Sequence, residues 1–429
     1  MIRSRLAARP VIAGRYLGAW LVLLATLPLG LDAYRDNPRI GLFTWEPGSQ
    51  MGINSRTYHY AAELARAGEP FYDAVPPGTF DWAVYLYPPV TVLGYYPLSV
   101  VDWSTAYAVM ILLSVGASVG ATILIVDYVE DFGTRLGWLD IVLIFAAFVL
   151  STHAFGTIYY GNINLILAFL ITLGFWALAR NRDSLAGVAL ALPALYKVFP
   201  AIIGLWLLRT RRWRAVAVAA GTGIASLLAG ALLFGFETTV YYFTDVLAGR
   251  GSSQQFVGGY PVDGTYYLTI QQPLSQWLYS VWPSAPYQAL VALAVVVSAV
   301  TLAFFYRSVE TPLDRLMAIF VTLVVMIVIF PALRWYLVML YLPLVGLLYV
   351  WDGGPGRWAF VAGGVLMSFT GSTGDVVEIL DRLPASLDPV WFSVGGFAMP
   401  PLYGLGLMVA ACAWYKYRRP AESGLDHGW

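Results

Sequence analysis

Long apolar runs alternate with shorter polar connections along this chain. A membrane-spanning helix needs roughly 20 mostly apolar residues, and eleven runs approach or exceed that length. The pattern therefore predicts an all-α, polytopic helical membrane protein. The runs lie near residues 16–32, 104–126, 137–155, 163–179, 184–208, 215–235, 284–306, 314–331, 335–351, 357–371 and 396–415.

The run 184–208 has arginines at both ends. One end lies beside Arg180 and Arg182, and the other end is the sequence RTRRWR, Arg209 to Arg214. Cytoplasmic loops carry an excess of Lys and Arg, so both ends are predicted to face the cytoplasm. A single crossing cannot place both ends on one side.

The centre of this run reads LPALYKVFPAI and contains Pro193, Lys197 and Pro200. Proline interrupts helices, so the sequence predicts two short segments that meet at a break, with Lys197 near the turn. The total is then about 12 membrane segments. The basic stretches 1–15 and 416–419 both fall on the cytoplasmic side.

The longest polar stretch, residues 33–103, is predicted to be an outer loop and is called the first loop below. Within it, residues 54–68 read NSRTYHYAAELARAG, which is typical of a short helix on the membrane surface. Asn54 or Ser55 is the expected N-cap, and Gly68 is the expected end.

Composition agrees with membrane insertion. Of 429 residues, 59% are hydrophobic and 12% are charged, whereas soluble proteins are about a quarter charged. The single cysteine, Cys412, excludes an intramolecular disulfide and any multi-cysteine metal or redox motif. Zero formal net charge gives no indication of nucleic-acid binding, and no metal motif or nucleotide-binding loop is visible, so we expect no cofactor.

Several short motifs follow one another in a fixed order, and together they resemble the C superfamily of polytopic glycosyltransferases (GT-C). The closest resemblance is to family 87, the relatives of polyprenyl-phosphate-mannose-dependent mannosyltransferases. It covers about residues 16–280. The motif residues are Tyr58, Ala61, Gly68, Pro70 and Tyr72 of the surface helix, Tyr87–Pro89, the Gly161–Asn164 turn, Lys197 and Pro200, and Arg211, Arg212 and Arg214.

The resemblance implies one GT-C domain over residues 1–429 and a multi-pass protein of the cytoplasmic membrane with both termini inside. It also implies an inverting hexosyltransferase at the outer face, which moves a sugar such as mannose from a polyprenyl phosphate to a glycolipid or glycan acceptor. Two alternatives from other classes remain open. A membrane transporter also uses broken helices with buried charges, and the chain could be a non-catalytic lipid-binding subunit.

Sugar transfer from a lipid phosphate needs a cation at the phosphate, and Lys197 is the first candidate. An ionisable side chain inside an apolar run costs at least about 2.5 kcal/mol, so its default interpretation is functional. The alternative is a lysine that reaches the interface. Arg334 is the second candidate, since it lies where the family often has a histidine-containing element.

A carboxylate must accept the proton of the acceptor hydroxyl. The family has an Asp four residues before the Tyr of the surface helix, and this chain has Asn54 there. Another first-loop carboxylate could serve as the base, the chain could be an inactive member, or Asn54 could be a helix cap. Glu46 and Asp73 are the preferred bases; Asp36 and Asp81 are the remaining first-loop candidates.

Asn162 and Asn164 are predicted to contact the substrate, because the resemblance implies that their turn faces the outer cavity. The alternative is that both amides only cap the turn and the next helix. Gln272 matches the Gln of a family element and is predicted to contact a sugar hydroxyl. His153 is a weaker substrate candidate. Most outer aromatic residues are expected to form an interfacial belt.

Overall fold

The structure is a computed structural model that describes residues 16–35, 50–251, 267–369 and 397–418. Helices fill most of these ranges, which confirms the all-α prediction, and every predicted apolar run contains a helix. The α-helices are α1 (Leu17–Arg35), α2 (Ile53–Ala67), α3 (Trp103–Glu130), α4 (Trp138–Leu150), α5 (Thr152–Tyr159), α6 (Asn164–Ala179), α7 (Asp183–Tyr196), α8 (Ile203–Arg209), α9 (Trp213–Phe234), α10 (Phe236–Tyr241), α11 (Ala248–Gly251), α12 (Gln271–Val281), α13 (Tyr287–Tyr306), α14 (Pro312–Val328), α15 (Tyr341–Val350), α16 (Gly354–Ser368) and α17 (Pro400–Arg418).

Shorter elements connect these helices. Tyr242–Leu247 forms a π-helical turn, and a small antiparallel sheet pairs Tyr267 with Leu333 and Leu268 with Ala332. The sheet places the start of α12 beside the helix that follows Leu333. The remaining elements of the described ranges are the 3₁₀ helices η1 (Pro89–Tyr95), η2 (Phe199–Ile202) and η3 (Arg334–Leu340) and the strands β1 (Tyr267–Leu268) and β2 (Ala332–Leu333).

In the described ranges, α3, α9 and α13 are long and apolar enough to cross a membrane unaided. Helices α4 and α5 pass the same test as a pair and bend by 46° at their junction. Several other apolar helices are shorter and are interrupted by breaks or 3₁₀ turns. These helices indicate a multi-pass membrane protein, whereas the total of 11 or 12 crossings stays a prediction.

Helix α14 lies at the centre of the helical bundle. Every side chain from Leu316 to Val328 is buried. Helix α15 is buried in the same way from Tyr341 to Tyr349. A helix that is apolar on all faces is stable only where neighbouring helices surround it, so these two helices form the core of the described structure.

Helix α16 packs closely between α1 and α17. A Cβ atom on Gly404 of α17 would lie 2.4 Å from the backbone nitrogen of Met367, so only glycine permits this approach. Small residues allow helix backbones in membranes to come close and pack over a large area.

One buried carboxylate joins three helices. Asp140 is 0% exposed and accepts hydrogen bonds from Trp20 Nε1 of α1 at 2.6 Å and from the Tyr349 hydroxyl of α15 at 2.8 Å. It also accepts a 2.8 Å hydrogen bond from the backbone nitrogen of Gly137, which caps the start of α4. The three donors compensate for the burial of this charge.

The surface helix α2 ends as predicted, with Gly68 in the left-handed conformation (φ 75°) as its C-cap. Its start differs from the prediction. The N-cap is Gly52 (φ 67°), and Asn54 is already the second helical residue, so the capping interpretation of Asn54 is wrong. Tyr58 and neighbouring alanines form the predicted buried face, which packs against α3 and η1 rather than standing free.

Candidate active site

The segment 183–212 folds back on itself. Helix α7 spans 14 residues, about 21 Å, before Lys197 adopts an extended conformation (φ −137°, ψ 111°). Elements η2 and α8 then lead back, and Arg212 Nη1 lies 2.7 Å from Asn181 Oδ1 and 3.3 Å from Asp183 Oδ1. The two ends of the segment therefore meet, as the prolines and the flanking arginines predicted.

Lys197 lies at this break and is only 8% exposed. Its Nζ donates a 3.0 Å hydrogen bond to the Tyr336 hydroxyl of η3 and lies 4.4 Å from the centre of that ring. The ring of Tyr87, in the first loop, is centred 5.6 Å away. The ammonium group thus reaches the end of the molecule where the first loop packs, held between two aromatic faces.

Next to Lys197 lies a cluster of buried or half-buried tyrosines, here called the tyrosine wall. The hydroxyls of Tyr58 and Tyr87 are 3.0 Å apart, and the Tyr72 hydroxyl donates to the Tyr87 carbonyl at 2.6 Å. Burial raises the pKa of Tyr58 and Tyr72 well above the usual range, so both stay neutral. The members of the wall are Tyr58, Tyr72, Tyr85, Tyr87, Tyr95 and Tyr196.

The turn between α5 and α6 carries Gly161 and both asparagines. Gly161 has φ 65°, and a Cβ atom there would lie 2.7 Å from Ser55 Cβ, so the turn requires glycine. The surface helix docks directly on this turn: the backbone nitrogen of Asn54 donates to the Tyr160 carbonyl at 2.9 Å. The two motifs are thereby brought into one site.

Neither asparagine caps a helix. The N-cap of α6 is Ile163, and no side chain accepts a hydrogen bond there, which contradicts the capping alternative for Asn162 and Asn164. Asn164 is 0% exposed, and neither of its amide atoms makes a hydrogen bond within the described part of the chain; the same holds for Asn162 Oδ1. These buried atoms have capacity for the hydroxyls of a ligand.

Two further polar atoms near this turn make no hydrogen bond to the described residues. They are Thr157 Oγ1, one turn before Asn162, and Nε1 of Trp335, whose ring packs on Gly156 and lies 5.1 Å from the ring of Tyr160. Hydrogen-bond donors and hydrogen-bond acceptors are therefore both present around the turn. Such a mixture suits sugar hydroxyls, which donate and accept hydrogen bonds.

Helix η3 supplies Arg334, which was predicted from the sequence, and Tyr336, which the structure reveals. Arg334 is its first residue, two positions before Tyr336, and it lies within electrostatic reach of Tyr160 and His153. Lys197 thus bonds to the same short helix, η3, that carries Arg334. The structure brings both predicted cations to the side of the molecule that holds the asparagine turn.

His153 and Gln272 are both fully buried. The ring nitrogens of His153 lie 3.0 Å from the Tyr341 hydroxyl and 3.4 Å from the Met367 carbonyl, which favours a packing role over a substrate contact. Gln272 lies in the first turn of α12, beside the small sheet that leads into η3. Its predicted contact with a sugar stays a prediction.

The predicted bases divide into two groups. Asp36 and Glu46 lie outside the described residues. Asp81 is exposed, and Asp73 adopts φ 59° and accepts a hydrogen bond from the Tyr241 hydroxyl at the wall of a separate cavity. The described structure therefore places no contact between Asp73 and Lys197; the tyrosine wall lies between them.

A sequence profile of glycosyltransferase family 87 matches residues 85–331, more than half of the chain. The chain belongs to glycosyltransferase family 87. The family match includes Tyr87, the Gly161–Asn164 turn and Lys197, but it starts after the surface helix and stops before Arg334. It begins and ends later than the range 16–280 expected from the motifs.

Two mycobacterial relatives share one description, polyprenol-phosphate-mannose-dependent alpha-(1-2)-phosphatidylinositol pentamannoside mannosyltransferase. The protein of Mycolicibacterium smegmatis is 25% identical over 242 residues, 55% of this chain and 54% of the relative. That of Mycobacterium tuberculosis is 27% identical over 167 residues, 39% and 38% of the two chains. This family 87 chain thus aligns with about half, or less, of each relative's length.

Among solved structures, ArnT from Cupriavidus metallidurans in the apo state aligns with 92% of this chain and 76% of its own. The sequence identity is 14% and the TM-score is 0.29.

Sequence reasoning missed two aromatic residues of this family 87 site. Trp335 and Tyr336 were not among the predicted site residues, yet Tyr336 contacts Lys197 and Trp335 packs at the asparagine turn. The motif residue Tyr87 also lies beside Lys197. The sequence carried a signal for Tyr87 alone, the stretch YLYPP, which combines closely spaced tyrosines with a proline pair in an outer loop.

Proposed function

We propose that this family 87 protein is an inverting hexosyltransferase of the cytoplasmic membrane. It transfers mannose from a polyprenyl-phosphate donor to a glycolipid or glycan acceptor at the outer face. The observation that carries the proposal is the buried ammonium group of Lys197 at the break of the folded-back segment. The names of the two mycobacterial relatives support the donor class and the sugar.

Lys197 binds the donor phosphate in this proposal, assisted by the Tyr336 hydroxyl 3.0 Å from its Nζ. Negative charge grows on the phosphate as its bond to the sugar breaks. A cation that is already in place stabilises this charge more than it stabilises the bound donor. Arg334, on the same 3₁₀ helix as Tyr336, adds a second positive charge.

The prenyl chain is assigned to an apolar cavity of about 350 Å³ between α7, η2 and α9. Leu195 and Val198, which flank Lys197 along the chain, belong to its lining. The remaining lining is almost entirely aliphatic or small. An apolar cavity beside a buried cation matches the two parts of a polyprenyl phosphate.

Asn162 and Asn164 orient the donor sugar through their unused amide atoms. The acceptor oxygen attacks the anomeric carbon from the face opposite the phosphate. The bond between that carbon and the phosphate oxygen breaks, polyprenyl phosphate leaves, and the configuration inverts. A first-loop carboxylate takes the hydroxyl proton. We assign this role to Glu46, because Asp73 lines a separate cavity behind the tyrosine wall.

Purified protein in lipid nanodiscs, incubated with radiolabelled polyprenyl-phosphate mannose and a membrane lipid extract, tests this proposal. We expect labelled glycolipid from this donor and none from GDP-mannose. Movement of the labelled donor between leaflets without a glycolipid product would favour the transporter alternative. Donor binding with neither transfer nor movement would favour the non-catalytic lipid-binding subunit.

A further inference from the structure

A second cavity, of about 800 Å³, lies beside the end of the surface helix. It is called the acidic cavity here. Residues 68–73 form one side, and the ends of α9 and α10 form the other. Tyr72 lines it and also bonds to the carbonyl of Tyr87, so the tyrosine wall separates this cavity from Lys197. Its volume lies within the range of roughly 300–1,000 Å³ typical of ligand sites.

The acidic cavity has three carboxylates, Glu69, Asp73 and Glu237, and no Lys or Arg among the described residues that line it. This charge repels a phosphate, so the donor headgroup does not fit here. In the described ranges no three acidic or His/Cys side chains come close enough to hold a metal ion. The carboxylates are therefore spread around the cavity, which suits separate hydroxyls of an extended ligand.

The aromatic residues that line the acidic cavity pack against one another. The rings of Phe71 and Phe234 are 5.6 Å apart at 78°, those of Tyr96 and Phe234 are 6.4 Å apart at 84°, and those of Tyr72 and Tyr241 are 6.0 Å apart. A cage for an ammonium ion needs rings that face one central point. Rings that pack edge to face instead offer a flat side on which a sugar ring can lie.

Tyr241 is the exposed residue among these aromatic residues, with 37% of its surface accessible. Its hydroxyl donates to Asp73, and this hydrogen bond raises the pKa of Tyr241, so the hydroxyl stays protonated. The bond also holds the Asp73 carboxylate against the ring. Aromatic ring and carboxylate are thus fixed side by side, the pairing that recognises the apolar face and the hydroxyl edge of a sugar.

We propose that the acidic cavity binds neutral sugar residues of the acceptor glycan, away from the hydroxyl that reacts. The proposal rests on the proposed glycosyl transfer for the ligand's role as acceptor. It excludes an anionic headgroup as the occupant, because the three carboxylates repel it. Because the interaction is remote from the reacting bond, it affects acceptor binding more than the chemical step.

Saturation-transfer NMR with soluble mannotriose and the purified protein tests binding directly. We expect transfer of magnetisation to the sugar protons, unchanged by inorganic phosphate. Tyr241→Leu and Glu237→Gln should reduce affinity about 10-fold, the effect of losing one stacked ring or one charged hydrogen bond. Tyr241→Phe, which keeps the ring, should retain more. Glu63→Gln, the same change at an exposed position of α2 outside the cavity, is the control.

Transfer kinetics separate this proposal from the proposed function. The two cavity variants should raise the KM for the acceptor about 10-fold while kcat and the donor KM change less than about 2-fold. Mannotriose binding without any transfer activity would leave the cavity assignment standing and reject the transferase. Normal transfer with no mannotriose binding, or with cavity variants that match Glu63→Gln, would overturn the cavity assignment alone.

Discussion

Replacing Lys197 by Met removes the buried charge and keeps the length of the side chain. At about 4 Å, two unit charges interact by about 4 kcal/mol at an effective dielectric constant of about 20. Part of this attraction already exists in the bound donor, since its phosphate is charged. Removing one preorganised contact typically costs about 2.7–4 kcal/mol in the transition state, so we expect transfer to fall at least about 100-fold.

The assay compares initial rates of mannose transfer, with donor binding measured separately, because the charge acts more on the transition state than on the bound donor. Lys197→Arg should keep part of the activity. Lys416→Met is the matched control: Lys416 is another half-buried lysine, near the end of α17, and it donates hydrogen bonds to the carbonyls of Phe305 and Ser308. A well-folded Lys197→Met protein with near-normal transfer would refute the phosphate assignment and move the search to Arg334.

The remaining predictions concern the base, the topology and the fold. Glu46→Gln should abolish transfer, and full activity of this variant would reject base catalysis by Glu46. Cysteines placed at Ser49 and Thr210 in a cysteine-free background should label from opposite faces, and labelling of both from outside by an impermeant reagent would reject the topology. Asp140→Ala leaves three donors without their acceptor and should lower the free energy of unfolding by about 3 kcal/mol. Asp140→Asn should have a smaller effect. Thermal unfolding measures both, and an unchanged unfolding temperature would contradict the role of this carboxylate.

The helices and the fold-back were predictable because their signals are local. Apolar runs of sufficient length became helices, and two prolines between arginine-flanked ends gave the break at Lys197. Gly68 ended the surface helix because glycine adopts the left-handed conformation easily. In each case a few neighbouring residues decide the outcome.

The contacts of the site were not predictable in the same way, because they join residues far apart in the chain. Lys197 and Tyr336 are separated by 139 positions, and an aromatic residue at a helix end looks alike whether it meets lipid or a buried lysine. The start of the surface helix was also decided at long range: Gly52 donates its backbone N–H to the Tyr159 carbonyl, so Asn54 cannot be the cap. Asn164 likewise matched a capping pattern but lies inside the site.

The most direct test of the central claim is a cryo-EM structure with a non-transferable phosphonate analogue of polyprenyl-phosphate mannose. The account predicts the phosphonate within about 2.7–3.2 Å of Lys197 Nζ, hydrogen-bonding distance. It also predicts the prenyl chain in the apolar cavity beside Leu195 and the mannose against Asn162 and Asn164. A phosphonate bound away from Lys197, with the cavity beside α7 unoccupied, would contradict the account.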